Sequence, residues 1–201
     1  MKALVLALAV LISPAAFAST VDFASSTSTT NNTGGQATIL ASNSVWATAL
    51  PGSSWITTAD NVTPPNGTTV TYTVDLDIAG PFNLATLNLG VYADDTATVM
   101  LNGTTLFAGD MTLGMHCASG IIGCVDGTEG VLSNYDVTAD VHDGVNTLTF
   151  EDYQLGASTF GVDFAGSLVT SDPASTPEPS SLMLLGSGLI GLAGLRRRFA
   201  R

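Results

Sequence analysis

Between Ser19 and Thr176 the sequence contains neither lysine nor arginine. The five basic residues of the 201-residue chain are Lys2, Arg196, Arg197, Arg198 and Arg201, and every acid but Glu178 among the 17 lies between those two limits. A domain without a cation of its own cannot neutralise phosphates, which excludes nucleic acid as a partner and an anionic membrane surface as a docking site. Divalent cations and neutral glycans stay open. Cysteine is also scarce, with Cys117 and Cys124 alone, and histidine is limited to His116 and His142. Two cysteines and one adjacent histidine do not make a four-ligand zinc centre. No amphipathic helical periodicity stands out between the termini, and no repeat of twenty to fifty residues points to a solenoid or propeller.

What is present is short runs of β-branched and aromatic residues separated by turn residues, with 21 glycines and only 11% charged residues. That composition describes an all-β domain of the extracellular type. Met1-Lys2, the apolar run Ala3 to Ile12 and the small residues Ala16 and Ala18 around Phe17 read as a secretory signal peptide cut after Ala18. In an exported chain Cys117 and Cys124 are expected to pair, and closing so short a loop stabilises by about 2 kcal/mol.

The chain divides into a signal peptide over 1–18, a polar leader over 19–36 and a β-sandwich domain over 37–170. A Pro/Ser/Thr linker follows over 171–180, then an apolar helix over 181–195 and a basic tail over 196–201. Thr69 to Ile78 is the clearest strand: Val70, Tyr72, Val74, Leu76 and Ile78 share one face, Thr71, Thr73, Asp75 and Asp77 the other. Ala85 to Tyr92, Thr98 to Leu101, Thr104 to Phe107, Val131 to Val137, Val145 to Phe150 and Phe160 to Val169 follow. Asn102-Gly103 forms the hairpin turn in their midst. The count is seven to nine mainly antiparallel strands, which favours a β-sandwich. Gly109 to Gly130 reads as a long excursion pinned by the cysteine pair.

Candidate sites are acidic or aromatic. Asp94, Asp95, Glu151, Asp152 and Asp163 offer oxygen ligands for a structural Ca²⁺, although no EF-hand spacing is present. Trp46, Trp55, Tyr92, Tyr135 and Tyr153 are the candidate stacking platforms for a sugar ring, Tyr153 first because it reads as a loop aromatic, with Trp46 and Trp55 next. No catalytic residue is assigned: Ser119 and Ser133 lack a nucleophile-elbow context and His142-Asp143 is a turn. Asp75 and Asp77 share a wet face and are the nearest approach to a glycosidase pair, but no Lys or Arg is at hand to set their pKa values apart.

Pro177-Glu178-Pro179, the apolar run from Leu182 to Leu195 and the cluster Arg196, Arg197 and Arg198 closely resemble the PEP-CTERM sorting signal of bacterial exported proteins. The resemblance implies recognition by an exosortase-type membrane peptidase, release to the cell surface or outside, and association with exopolysaccharide or biofilm matrix. It also implies an apolar transmembrane helix that holds the chain transiently in the inner membrane before cleavage near Pro177. Ser180 to Leu195 as a helix spans about 24 Å, short of a hydrocarbon core of roughly 30 Å.

A second resemblance rests on Ala93-Asp94-Asp95 leading into a strand that ends at Asn102-Gly103, and on Tyr135 to Thr138 followed by Gly144 to Asp152. These segments look like the galactose-binding-like jelly rolls, which implies a carbohydrate-binding or adhesive module. A purely structural surface protein and a secreted glycan-active hydrolase are the alternatives.

Overall fold

The computed structural model describes residues 18–41, 43–112, 117, 122–156 and 159–172, together with positions 184, 186–189, 191, 195 and 196 near the C-terminus. Ala18–Ser171 forms one compact unit, and the terminal segments form a separate one. Among the described residues twelve strands run through the first unit: β1 (Ala18–Ala24), β2 (Thr30–Asn31), β3 (Gly35–Gln36), β4 (Thr38–Ile39), β5 (Ile56–Thr57), β6 (Thr69–Ile78), β7 (Leu84–Asp94), β8 (Thr96–Leu101), β9 (Thr104–Phe107), β10 (Gly130–Asp136), β11 (Gly144–Tyr153) and β12 (Gly161–Ser171). They make two six-stranded sheets. The first runs β10-β7-β12-β5-β4 with β1 also paired to β12, and the second runs β3-β2-β6-β11-β8-β9. The pairings within both are antiparallel.

Period-two patterning produces this arrangement. Val70, Tyr72, Leu76 and Ile78 on β6 and Leu148 and Phe150 on β11 are buried, and they meet Leu87, Val91, Phe164 and Leu168 from the first sheet in one core. Phe150 and Phe164 stack across the gap at 3.9 Å between ring centroids. Fully burying a side chain of this size stabilises by roughly 2 kcal/mol, so the interleaved faces fix the register of each strand. Gly166 marks the tightest point: a Cβ there would lie 2.2 Å from the Asn88 carbonyl oxygen and 2.7 Å from the Phe23 ring.

Three expectations change. The tract expected as a polar leader over 19–36 lies inside the sandwich, because β1 pairs with β12 from Ala18↔Ser171 to Ala24↔Ala165 and β2 pairs with β6. Backbone pairing, which polar side chains do not disclose, holds it there. Tyr153 is the last residue of β11, paired with Thr69 and Thr96, and is not a loop aromatic. Among the described residues no helix is long and apolar enough to cross a membrane. This overturns the transmembrane helix expected over 181–195 and the transient inner-membrane anchoring drawn from it; the physical reason is length, about 24 Å against roughly 30 Å. Leu184, Leu189 and Leu195 are helical and exposed, as is Arg196. Ala16, Pro177, Glu178, Pro179, Arg197 and Arg198 lie outside the described residues.

Candidate functional site

Alternation along β7 and β12 sends Tyr92, Asp94 and Asp163 to the outer face of the first sheet, where water would normally meet them. An irregular segment between β4 and β5 covers that end. Trp46 and Trp55 stack at 4.3 Å, Trp55 lies 6.1 Å from Tyr92, and with Ala47 and Cys124 they form a second apolar cluster. Asp163, 0% exposed, fastens this cover. Its Oδ2 accepts the Leu50 amide at 2.8 Å, and its Oδ1 lies 2.9 Å from Ser25 Oγ and 2.5 Å from Ser53 Oγ. Burial raises its pKa, and hydrogen bonds from Ser53, Leu50 and Ser25 oppose that rise.

A second acidic group sits where the chain leaves β7 and enters β8. The Asp94–Asp95 peptide is cis. Asp94 Oδ2 accepts Trp46 Nε1 at 2.9 Å and the Thr159 hydroxyl, and Asp95 Oδ2 accepts the amides of Leu155 at 2.6 Å and Gly156 at 3.0 Å. Asp152 approaches from β11 on the inward face, opposite Val70 and Ala97. It is 0% exposed, and neither carboxyl oxygen makes a hydrogen bond. Burial, followed by the charges of Asp94 and Asp95, pushes its pKa well above the ordinary carboxylate range. The nearby Tyr153 amide opposes that rise without forming a well-directed bond. Asp94 is pushed up to about 6, first by burial, with Thr159 opposing and Asp95 reinforcing.

The predicted residues therefore separate. Asp94, Asp95 and Asp152 act on one another, and Asp163 lies apart under the tryptophan cover. Glu151 faces outward, with its Oε2 3.2 Å from the Tyr153 hydroxyl, which also lies 3.0 Å from Thr98 Oγ1. Trp46 and Trp55 are 9% and 5% exposed, their faces taken up by each other and by Tyr92, so neither presents the open ring face expected of a sugar platform. Tyr153 is half-buried. Cys117 and Cys124 form the disulfide, with Cα atoms 4.6 Å apart. Their sulfurs and one Asp94 oxygen lie within 4.8 Å of one another, but a disulfide leaves no thiolate to ligate a metal.

Sequence reasoning missed Ser25, Ser53 and the Leu50 amide as partners of Asp163. One signal was available. Asp163 sits within Phe160-Gly161-Val162-Asp163-Phe164, whose near-continuous apolar character marks a strand covered on both faces.

The fold and its sites define an all-β two-sheet sandwich carrying a C-terminal address. Residues 175–198 match the PEP-CTERM protein-sorting motif, which implies processing by an exosortase-type system. Among solved structures, a family 35 carbohydrate-binding module from Clostridium thermocellum aligns with a TM-score of 0.38 and 12% identity, over 74% of this chain and 97% of that one. No curated protein matches the chain by sequence.

Proposed function

We propose that this chain is an exported, non-catalytic surface or matrix module that binds neutral polysaccharide, its sandwich being displayed outside the cell after an exosortase-type peptidase acts at the Pro177-Glu178-Pro179 segment. The observation that carries the reading is the sorting motif at 175–198 joined to a domain without one lysine or arginine. Such a domain repels anionic polymers and leaves neutral glycans as the accessible matrix component.

The outer face of the second sheet supports a contact surface. Thr71 and Thr73 on β6 register with Glu151 and Thr149 on β11, and Thr147 lies opposite Asp75. The threonine hydroxyls can donate and accept, as the hydroxyls of a sugar chain require, and half-buried Tyr153 closes one end of this face. Catalysis is disfavoured because Asp94, Asp95, Asp152 and Asp163 are no more than 5% exposed and closed to a substrate.

Co-sedimentation of the exported protein with neutral exopolysaccharide tests the reading. Retention in the polysaccharide pellet, weakened at least fivefold by the paired change Thr73→Lys and Thr149→Lys at unchanged melting temperature, is expected. No retention on any neutral glycan would leave the purely structural role.

A further inference from the structure

The absence of lysine and arginine that turns anionic polymers away also draws cations in, since every acid of the chain but Glu178 stands between Ser19 and Thr176. The outer face of the first sheet offers a polymer of that sign a seat. Period two brings Ala24, Ala165 and Gly90 to this face in one row across β1, β12 and β7, while their neighbours Phe23 and Phe164 are buried in the core. The row is thus almost bare of side chains. Leu50, Pro51 and Gly52 stand over it as a wall, so close that a Cβ on Gly90 would meet the Leu50 side chain at 3.1 Å. Asp163 holds that wall through the Leu50 amide and the Ser53 hydroxyl. Wall and floor bound an open groove of about 570 Å³, within the size range of small-ligand sites, over a floor two strand spacings or roughly 10 Å wide. In the next outward row Asp22 pairs with Ser167, and both line the groove. Asp22 is exposed, and its carboxylate accepts no hydrogen bond among the described residues.

We propose that this groove binds an amino-sugar unit of a cationic polysaccharide, one whose amino groups are free and protonated. The ammonium pairs with the Asp22 carboxylate, the ring hydroxyls exchange hydrogen bonds with the Ser167 hydroxyl, and the apolar face of the ring lies on Leu50 and Pro51. A hexosamine joins a cation, hydroxyls and an apolar ring face in one unit, which is the combination of partners that the groove presents. A bare row lets the ring come down onto the sheet. A basic peptide would feel the same field, but the groove lies on a sheet face, where the backbone groups are already spent on neighbouring strands and none is left to pair with an extended chain. The site goes beyond the neutral-glycan contact proposed for the second sheet and uses none of its residues.

Isothermal titration of the exported protein at pH 5.5 with a glucosamine hexamer and with its fully N-acetylated counterpart tests the assignment. The free-amine hexamer is expected to bind at least tenfold more tightly, with a preference that shrinks as salt is added. Asp22→Asn weakens its binding about fivefold at unchanged melting temperature, because Asp22 is exposed and holds nothing in the fold. Asp75→Asn removes the same single charge from the second sheet and leaves the affinity within twofold. Equal affinity for the two hexamers, or equal losses in Asp22→Asn and Asp75→Asn, would overturn the assignment. Spermine bound as tightly as the free-amine hexamer would overturn it too, by showing that charge is read without the sugar ring.

Discussion

Replacing Asp163 by alanine is expected to lower the unfolding free energy by about 4 kcal/mol, a large fraction of the roughly 5–15 kcal/mol of a typical domain. The carboxylate accepts from the Leu50 amide and from the hydroxyls of Ser25 and Ser53. Losing it strands donors in a buried setting at about 1–3 kcal/mol each. The two hydroxyls have a fallback, because Ser25 Oγ also lies 2.7 Å from the Ser54 carbonyl and Ser53 Oγ lies 2.9 Å from the Leu50 carbonyl. The Leu50 amide has none among its hydrogen bonds, so its loss dominates, together with release of the segment that brings Trp46 and Trp55 onto Tyr92. Asp163→Asn keeps one acceptor oxygen and removes a buried charge, and is expected to cost about half as much. Urea unfolding measures both, with the midpoint falling at constant slope. A loss of 1 kcal/mol or less for the alanine variant would show that the cover is held by packing alone.

Stability is expected to fall by about 2 kcal/mol between pH 4.5 and pH 8 through Asp94 alone, since its folded pKa of about 6 exceeds the ordinary 3.8. The sign follows from proton binding. In that window the folded state holds protons on Asp94 and Asp152 that the unfolded state has released, so raising the pH favours unfolding. The stabilisation is complete below about pH 4 and is lost as the pH rises through the folded values. Asp152 and Asp163, both raised, act in the same direction. Asp60 and Asp136 are lowered by hydrogen bonds from threonine and backbone and act the opposite way, but both are exposed at the surface. Urea unfolding across this range measures it, and stability that is constant or rising with pH would mean that Asp94 and Asp152 are ionised in the folded protein.

Strand positions were legible in the sequence wherever one face was apolar and the other polar. The ten residues of β6 fall at the predicted limits, and β9 does so as well. The rule failed where a sheet face is covered by something other than the opposing sheet. Tyr92, Asp94 and Asp163 occupy positions that alternation assigns to water, and only the fold of residues 40–55 shows that these positions are roofed. The tryptophans that looked like ligand platforms are that roof. Acidic residues were identified as a class, but spacing cannot separate Asp152, directed inward, from Glu151, directed outward, until the strand's register is known. Residues 19–36 were opaque for another reason: their place in the sheets depends on backbone bonds, which polar composition neither requires nor forbids.

On this reading the chain is exported and its C-terminal address is removed. Removal of the signal peptide after Ala18 and of the segment beyond Pro177 leaves a protein without any lysine or arginine. Intact-mass spectrometry of the extracellular protein, from cells that carry an exosortase-type peptidase, tests this directly. The expected species begins at Ser19, ends near Pro177 and stays uncut by trypsin even when denatured. A mass that includes Arg201 would contradict it.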